Sequence, residues 1–172
     1  MAEKITCYSL ENSFGGAYPI DRDTFYNEEI ERSDRGEEPQ RSVAVVNIFL
    51  VNESWELIIQ KRSSHKRHNP NLLDKSIGWH IQRGDLIDYT VMVETVQELQ
   101  VPSIVVREDE DFQKTFELLR NYLTTIAIVK HIDTYTWYFT KKLNAKDVTI
   151  GNKTSLFLWV YGWSVKNIVF VV

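Results

Sequence analysis

The chain has 172 residues, of which 43% are hydrophobic and 26% are charged, and its formal net charge is -4. This length and composition are typical of one globular domain with a sizeable core. The negative charge argues against a nucleic-acid polymer as the main partner. The single cysteine, Cys7, excludes an internal disulfide, and Met1 is followed by a polar stretch instead of an apolar leader. We therefore expect a cytoplasmic protein without a membrane segment.

The first 40 residues are irregular in composition. We expect them to form an N-terminal extension with a short hairpin, packed on a domain formed by residues 41–172. The β-branched residues 42–51 predict a buried strand. A turn at 52–54 and a returning strand at 55–62 complete a predicted hairpin.

Residues 63–76 are polar and predict a loop. Residues 90–96 are rich in β-branched side chains, so propensity alone favours a strand there. A family resemblance of residues 79–101 implies instead a helix over 86–99 that ends before Pro102. One face of this helix carries its apolar residues, which are Tyr89, Met92, Val96 and Leu99. The opposite face is then expected to be the outer one.

A second helix is predicted at 109–123, with Asp109 or Asp111 as its cap. Its apolar stripe is formed by Phe112, Phe116, Leu119 and Leu123. Strands are predicted at 124–130, 134–141, 155–161 and 166–172. The element order predicts an α+β or α/β sandwich with a mixed sheet. The apolar strand at 166–172 needs a partner, which is another strand of the sheet, a second subunit or a segment beyond a truncated end.

Two glutamates of the first helix are candidates for chemistry. Glu94 and Glu98 lie one helical turn apart, and two carboxylates at this spacing can share Mg²⁺ or Mn²⁺. The turn Gly84-Asp85 precedes the helix, and Asp85 is the expected cap. The alternative interpretation is that both glutamates are simply solvated, which is the commoner fate of charges on an outer helix face.

The segment from Trp79 to Val101 resembles the Nudix box, G-x5-E-x7-R-E-U-x-E-E-x-G-U, where U is apolar. The resemblance covers residues 40–102 and includes 41–50, 57–63 and 74–80. In these segments the chain is similar to the branch of the Nudix superfamily that contains isopentenyl-diphosphate isomerase. The resemblance implies a Nudix-like α/β/α sandwich and a metal-dependent hydrolase of a small-molecule diphosphate.

By position in the box, the resemblance assigns four side chains to the metal. Glu98 matches the second glutamate of the E-E pair, a metal ligand, and Glu94 matches a metal ligand or base. Gln97 replaces the first glutamate of that pair, and Asp85 replaces the early glutamate. Val93 replaces the arginine. Gln97 brings an oxygen without charge and Val93 cannot orient a carboxylate, so a weakened metal site is expected.

Two further residues are candidates for the substrate phosphate. Arg62 ends a strand that faces the box in the family fold, and His80 matches a histidine that binds metal in the isomerases. For Arg62 the alternative is a plain surface arginine, and for His80 it is a core or loop histidine.

Three functions follow from these residues. The first is a metal-dependent Nudix hydrolase, and the second is a Nudix-fold module that has lost catalysis and binds a nucleotide or a protein. The third, an isopentenyl-diphosphate isomerase, is disfavoured because that chemistry uses a cysteine within the matched core and Cys7 lies outside it. The expected partner is a small-molecule diphosphate, and a homodimer is left open.

Overall fold

The computed structural model describes residues 3–9, 16–51, 56–65, 70–123 and 125–160. The elements in chain order are β1 (Lys4–Ser9), β2 (Ala17–Asp21), α1 (Arg22–Asp34), β3 (Arg41–Val51), β4 (Leu57–Ile58), β5 (Gln60–Lys61), β6 (Leu73–Asp74), β7 (Ile77–His80), α2 (Ile87–Leu99), β8 (Ser103–Val106), α3 (Asp109–Leu119), β9 (Ala127–Leu143) and β10 (Lys146–Val160). Within these residues, no helix is long and apolar enough to cross a membrane.

The main sheet has eight strands, and its central path runs in the order β2-β1-β3-β10-β9-β8. Strands β4 and β7 also pair with β3, while β5 and β6 form a separate two-stranded sheet. The pairs β3–β10 and β8–β9 are parallel, and the other pairs of the main sheet are antiparallel. The predicted α+β fold with a mixed sheet is therefore confirmed.

Strand β3 shows how the helices are divided between the two faces of the sheet. Its residues Val43 and Val45 belong to the core cluster against which α1 packs. The intervening residues Ala44 and Val46 belong to the cluster that contains Val91 of α2. Since side chains alternate along a strand, α1 and α2 lie on opposite faces of β3. Both faces are covered, which explains why β3 is almost continuously apolar.

The N-terminal residues form more regular structure than their composition predicts. The expected short hairpin is present as β1 and β2, and β1 joins the main sheet by pairing with β3. Helix α1 was not predicted. Asp21 caps it by accepting a hydrogen bond from the Thr24 backbone N–H. Glu29 of α1 is buried in an ion pair with Arg41, so a polar residue fills a core position that an apolar pattern would miss. The division at residue 40 stays a prediction.

The predicted apolar stripe is confirmed, because Phe112, Phe116 and Leu119 of α3 belong to one core cluster with Val106 of β8 and Ile128 of β9. Leu123 joins the same cluster from beyond the helix, which ends at Leu119 and not at 123 as predicted. The predicted caps are wrong, because the N-cap is Glu108 and it makes no side-chain capping hydrogen bond.

The last strands are longer than predicted. The segments expected at 124–130 and 134–141 form one strand, β9, and β10 begins at Lys146 instead of at 155. The missed feature is the tight turn at Asn144 and Ala145, which have φ values of 49° and 65°. The predicted strand at 166–172 lies outside the described residues.

The hairpin predicted after β3 is confirmed in outline. Strand β4 returns antiparallel on β3, with Val51 opposite Leu57. The single strand expected at 55–62 is divided into β4 and β5, and β6 forms within the predicted loop. The turn expected at 52–54 lies outside the described residues.

Candidate functional site

The loop before α2 is held by backbone hydrogen bonds to the edge of the sheet. The Ile81 N–H donates to the Ala44 carbonyl, and the Arg83 N–H donates to the Lys4 carbonyl. Gly84 has a φ of 84°, a conformation that favours glycine. Asp85 does not cap α2 as predicted, because the N-cap is Leu86, which makes no side-chain capping hydrogen bond. The turn therefore comes from the glycine, and Asp85 stays free for another role.

Helix α2 exposes most of the face that its apolar pattern predicts to be buried; of that face, only Leu99 packs partly buried against the core. Tyr89, Met92 and Val96 are each about half exposed. Val91 is fully buried, and Glu94 is only 3% exposed. The interpretation that Glu94 is a solvated residue of an outer face is therefore wrong.

The buried face of α2 is fixed in place by polar contacts as well as by packing. Thr95 is fully buried, and its hydroxyl lies 2.9 Å from the Ser103 hydroxyl at the start of β8. The Thr90 hydroxyl donates to the Leu86 carbonyl one turn earlier. The Thr95–Ser103 contact joins α2 to β8, and with the packing of Val91 it holds the face that carries Glu94 toward the sheet.

The Glu94 carboxylate is buried without full compensation. Its Oε2 atom has no hydrogen-bond partner among the described residues. Burial, together with the nearby charges of Glu98 and Glu3, raises the pKa of Glu94 to about 7. An ionised carboxylate in such surroundings is costly unless a positive group accompanies it. The Glu94 position is therefore suited to a cation.

The four residues assigned to the metal by the sequence differ in their surroundings. Glu98 and Gln97 are exposed near the end of α2, and Asp85 is partly buried in the loop that precedes this helix. The structure brings Glu98 close enough to Glu94 for their charges to interact. Within the described part of the chain, no three His, Cys, Asp or Glu side chains form a group that could hold a metal ion.

Two carboxylates are nevertheless compatible with Mg²⁺. This ion keeps several water ligands and is commonly bound by one or two carboxylates together with substrate phosphates. The unpartnered Oε2 atom of Glu94 supplies one such oxygen, and Glu98 lies one helical turn away. The donor set fits a hard cation that a phosphate ligand helps to hold.

Glu3 is a charged neighbour of this site that sequence reasoning missed. It lies 91 positions before Glu94, and no local pattern marks it. The pairing of β1 with the loop before α2 brings it there, through the bridge between Ile5 and Gln82. Its Oε2 atom lies 2.8 Å from the Arg22 guanidinium, so Glu3 has both the Glu94 carboxylate and the Arg22 cation as charged neighbours.

Arg62 is partly buried and does not face the carboxylates as an unpaired charge. Its guanidinium donates to Asp74 at 2.8 Å across the β5–β6 hairpin. Burial raises the pKa of Asp74, but Lys75 and Arg62 outweigh it and hold the pKa below its ordinary value. Arg62 therefore serves first to close this hairpin.

His80 lies on the α1 side of the sheet. Its Nε2 atom is 2.8 Å from the Tyr26 hydroxyl. Burial, followed by the charges of Arg22, Lys141 and Lys75, lowers the pKa of His80 to about 3. The imidazole is neutral at physiological pH, and its cationic neighbours make it a poor place for a metal ion.

Comparison with known proteins supports the resemblance to the Nudix superfamily. The chain is 39% identical over 57 residues to an uncharacterized Nudix hydrolase of Nostoc sp., a match that covers 33% of this chain and 34% of the relative. It is 41% identical over 59 residues to a Nudix hydrolase of Deinococcus radiodurans, with 34% of each chain covered. The match spans about a third of the length of these relatives. No family model matches the chain.

A structural comparison reaches further along the chain at lower identity. The crystal structure of DR0079 from Deinococcus radiodurans superposes with a TM-score of 0.48 and 17% identity, covering 92% of this chain and 72% of the other. At this score the likeness by itself supports neither fold nor function.

Proposed function

We propose that this chain is a metal-dependent hydrolase of a diphosphate-linked small molecule. The observation that carries the proposal is the buried Glu94 carboxylate, whose Oε2 atom has no partner among the described residues and which lies one turn from Glu98. The two relatives named as Nudix hydrolases support the reaction class.

The proposed roles follow from the surroundings of each side chain. Glu98, which solvent reaches, would hold Mg²⁺ or Mn²⁺ together with the unpartnered oxygen of Glu94. When bound, the cation offsets charge that develops on the phosphate and lowers the pKa of a water molecule. Asp85 and Gln97 remain candidate ligands, the first through a carboxylate on a shorter stem and the second through a neutral carbonyl.

If Glu98 and not Glu94 holds the cation, Glu94 has the properties of a general base. In the metal-free protein its pKa is about 7, close to physiological pH, the range in which proton transfer is most efficient. In the proposed reaction, Glu94 takes a proton from water as the water oxygen bonds to phosphorus. The bridging P–O bond of the diphosphate then breaks, and its electron pair leaves with the second phosphate.

Hydrolysis of a panel of nucleoside and sugar diphosphate compounds, with and without Mg²⁺ or Mn²⁺, tests the proposal. Turnover should require the metal and should fall at least about a hundredfold in Glu98→Gln, since a charged ligand is lost. Glu117→Gln is the matched control, because Glu117 is an exposed glutamate of α3. Absence of metal-dependent turnover on the whole panel, or full activity of Glu98→Gln, contradicts the proposal.

A second candidate is a Nudix-fold module that binds a nucleotide or a protein without catalysis. It is favoured by Gln97, which brings no charge, and by the lack of a three-ligand metal group in the described residues. Calorimetric nucleotide binding that is independent of metal, in a protein without turnover, would support it.

An isomerase of isopentenyl diphosphate is disfavoured. Cys7 is fully buried in the core cluster beneath α1, and burial raises the pKa of its thiol to about 12. A thiol in this state cannot serve as the acid–base group of that reaction. The cytoplasmic location and the small-molecule partner stay proposals.

A further inference from the structure

A group of cations surrounds the Tyr26–His80 pair on the α1 side of the sheet. Arg22, Lys75 and Lys141 all lie close enough to His80 for their charges to act on it. The Lys141 ammonium group lies 4.1 Å from the centre of the Tyr26 ring, and the Tyr26 hydroxyl lies 2.8 Å from His80 Nε2. Tyr26 and His80 therefore form an uncharged pair that has three cationic side chains near it.

Lys141 has no carboxylate within ion-pair distance among the described residues; its contact is the Tyr26 ring. Burial, with the charges of Lys75, Arg22 and Arg62, lowers the pKa of Lys141 to about 8. A partly buried ammonium group without an anion is unfavourable. Among the residues that the structure describes, Lys141 therefore lacks a negatively charged partner.

Lys75 reaches the same region by lying across Gly78. A Cβ atom added to Gly78 would overlap Lys75 Cε and lie 2.8 Å from its Nζ atom, so the glycine makes room for the lysine.

The charges of this region do not cancel. Arg22, Arg62, Lys75 and Lys141 supply four positive charges, whereas Glu3 and Asp74 supply two negative charges. Asp74 is shared by Arg62 and Lys75, and Glu3 pairs with Arg22. An excess of two positive charges remains in a protein whose net charge is -4.

The cation group adjoins the carboxylates of α2. Glu3 contacts Arg22 at 2.8 Å, and its charge also acts on Glu94. Glu3 is therefore a charged neighbour that the cation group and the carboxylates of α2 have in common.

We propose that Lys141, Lys75 and Arg22 form a phosphate-binding site above the Tyr26–His80 pair that holds the diphosphate of the substrate. This proposal rests on the proposed hydrolase function for the identity of the ligand, and it concerns different residues. Arg62 contributes charge to the site but is held by Asp74.

The test is a calorimetric titration of inorganic pyrophosphate into the metal-free full-length protein in EDTA. The unaltered protein should bind, and Lys141→Gln and Lys75→Gln should each weaken binding about tenfold, the effect of losing one charged hydrogen bond. Lys142→Gln is the matched control, because Lys142 is the exposed next residue of β9 and should leave binding unchanged.

Each of the other possible results either supports or overturns the proposed phosphate-binding site. If Lys141→Gln fails to fold by circular dichroism, Lys141→Arg should fold and bind, and Lys75→Gln carries the same test. Equal binding by all lysine variants, or no metal-free binding by the unaltered protein, overturns the proposal. A protein that binds metal-free pyrophosphate but shows no turnover on the panel of diphosphate compounds refutes the hydrolase and leaves the phosphate site standing.

Discussion

Replacing the buried carboxylate of Glu94 by an amide should make the metal-free protein more stable at alkaline pH. The pKa of Glu94 is raised from 4.5 to about 7, first by burial and then by the charges of Glu98 and Glu3. The folded state binds the Glu94 proton more tightly than the unfolded state does. The contribution of protonated Glu94 to the free energy of unfolding is therefore fully present below about pH 4.5 and is lost as the pH rises through about 7.

The magnitude follows from the difference between these two pKa values. Each pH unit corresponds to about 1.36 kcal/mol, so that ionised Glu94 costs the folded state about 3 kcal/mol above pH 7. For a chain of this size this cost corresponds to about 6–12 °C in Tm. Glu94→Gln removes the charge, and should melt higher than the unaltered protein at pH 8 but close to it at pH 4.

Thermal unfolding followed by circular dichroism in EDTA, from pH 4 to pH 9, measures this difference. Glu98→Gln is the control, because Glu98 is exposed and its loss removes only a like charge near Glu94. It should therefore keep most of the pH dependence. Mg²⁺ at pH 8 should raise the Tm of the unaltered protein and leave that of Glu94→Gln nearly unchanged. Parallel pH profiles for Glu94→Gln and the unaltered protein would refute the reasoning that the buried charge is costly.

Three other substitutions test separate features. Gly78→Ala should displace Lys75, whose Cε atom occupies the space of the new methyl group, and weaken metal-free pyrophosphate binding several-fold by calorimetry. Glu29→Ala should destabilise the fold by about 2 kcal/mol in urea unfolding, because it removes a buried charged hydrogen bond while Arg41 keeps its ion pair with Glu28; a loss below about 1 kcal/mol would show that the Glu29–Arg41 pair is dispensable. Ala145→Gly should stabilise the protein by about 1 kcal/mol in the same assay, since Ala145 has a φ of 65°; a decrease in stability would contradict this strain.

Periodicity predicted those elements whose apolar residues face the core. Strand β3 and the α3 stripe are the clearest cases, because hydrophobic burial acts at each position and leaves a regular pattern. Helix α1 escaped prediction because its buried face includes Glu29, which is stabilised by Arg41 of β3 and not by apolar contacts. A charge that is paired across the fold has no local signal.

The same limit applies to the candidate site. Spacing alone places Glu94 and Glu98 one turn apart, and the resemblance of the box selects them from the other glutamates. Neither the spacing nor the resemblance could give the orientation of α2, because apolar residues such as Met92 are exposed where an amphipathic helix usually buries them. Packing against β3 and β8 decides which face is buried.

The sequence by itself determined the class of fold, which depends on the order of elements along the chain. The resemblance to the Nudix box, which depends on spacing, identified the helix that carries Glu94 and Glu98. Only the tertiary structure decided that Glu94 is buried and that Glu98 is exposed. It also brought Glu3 to the carboxylates and gathered Lys75 and Lys141 around one aromatic pair. The physical reason is that burial and electrostatic interaction depend on distance in space, and strand pairing joins residues that are far apart in the chain.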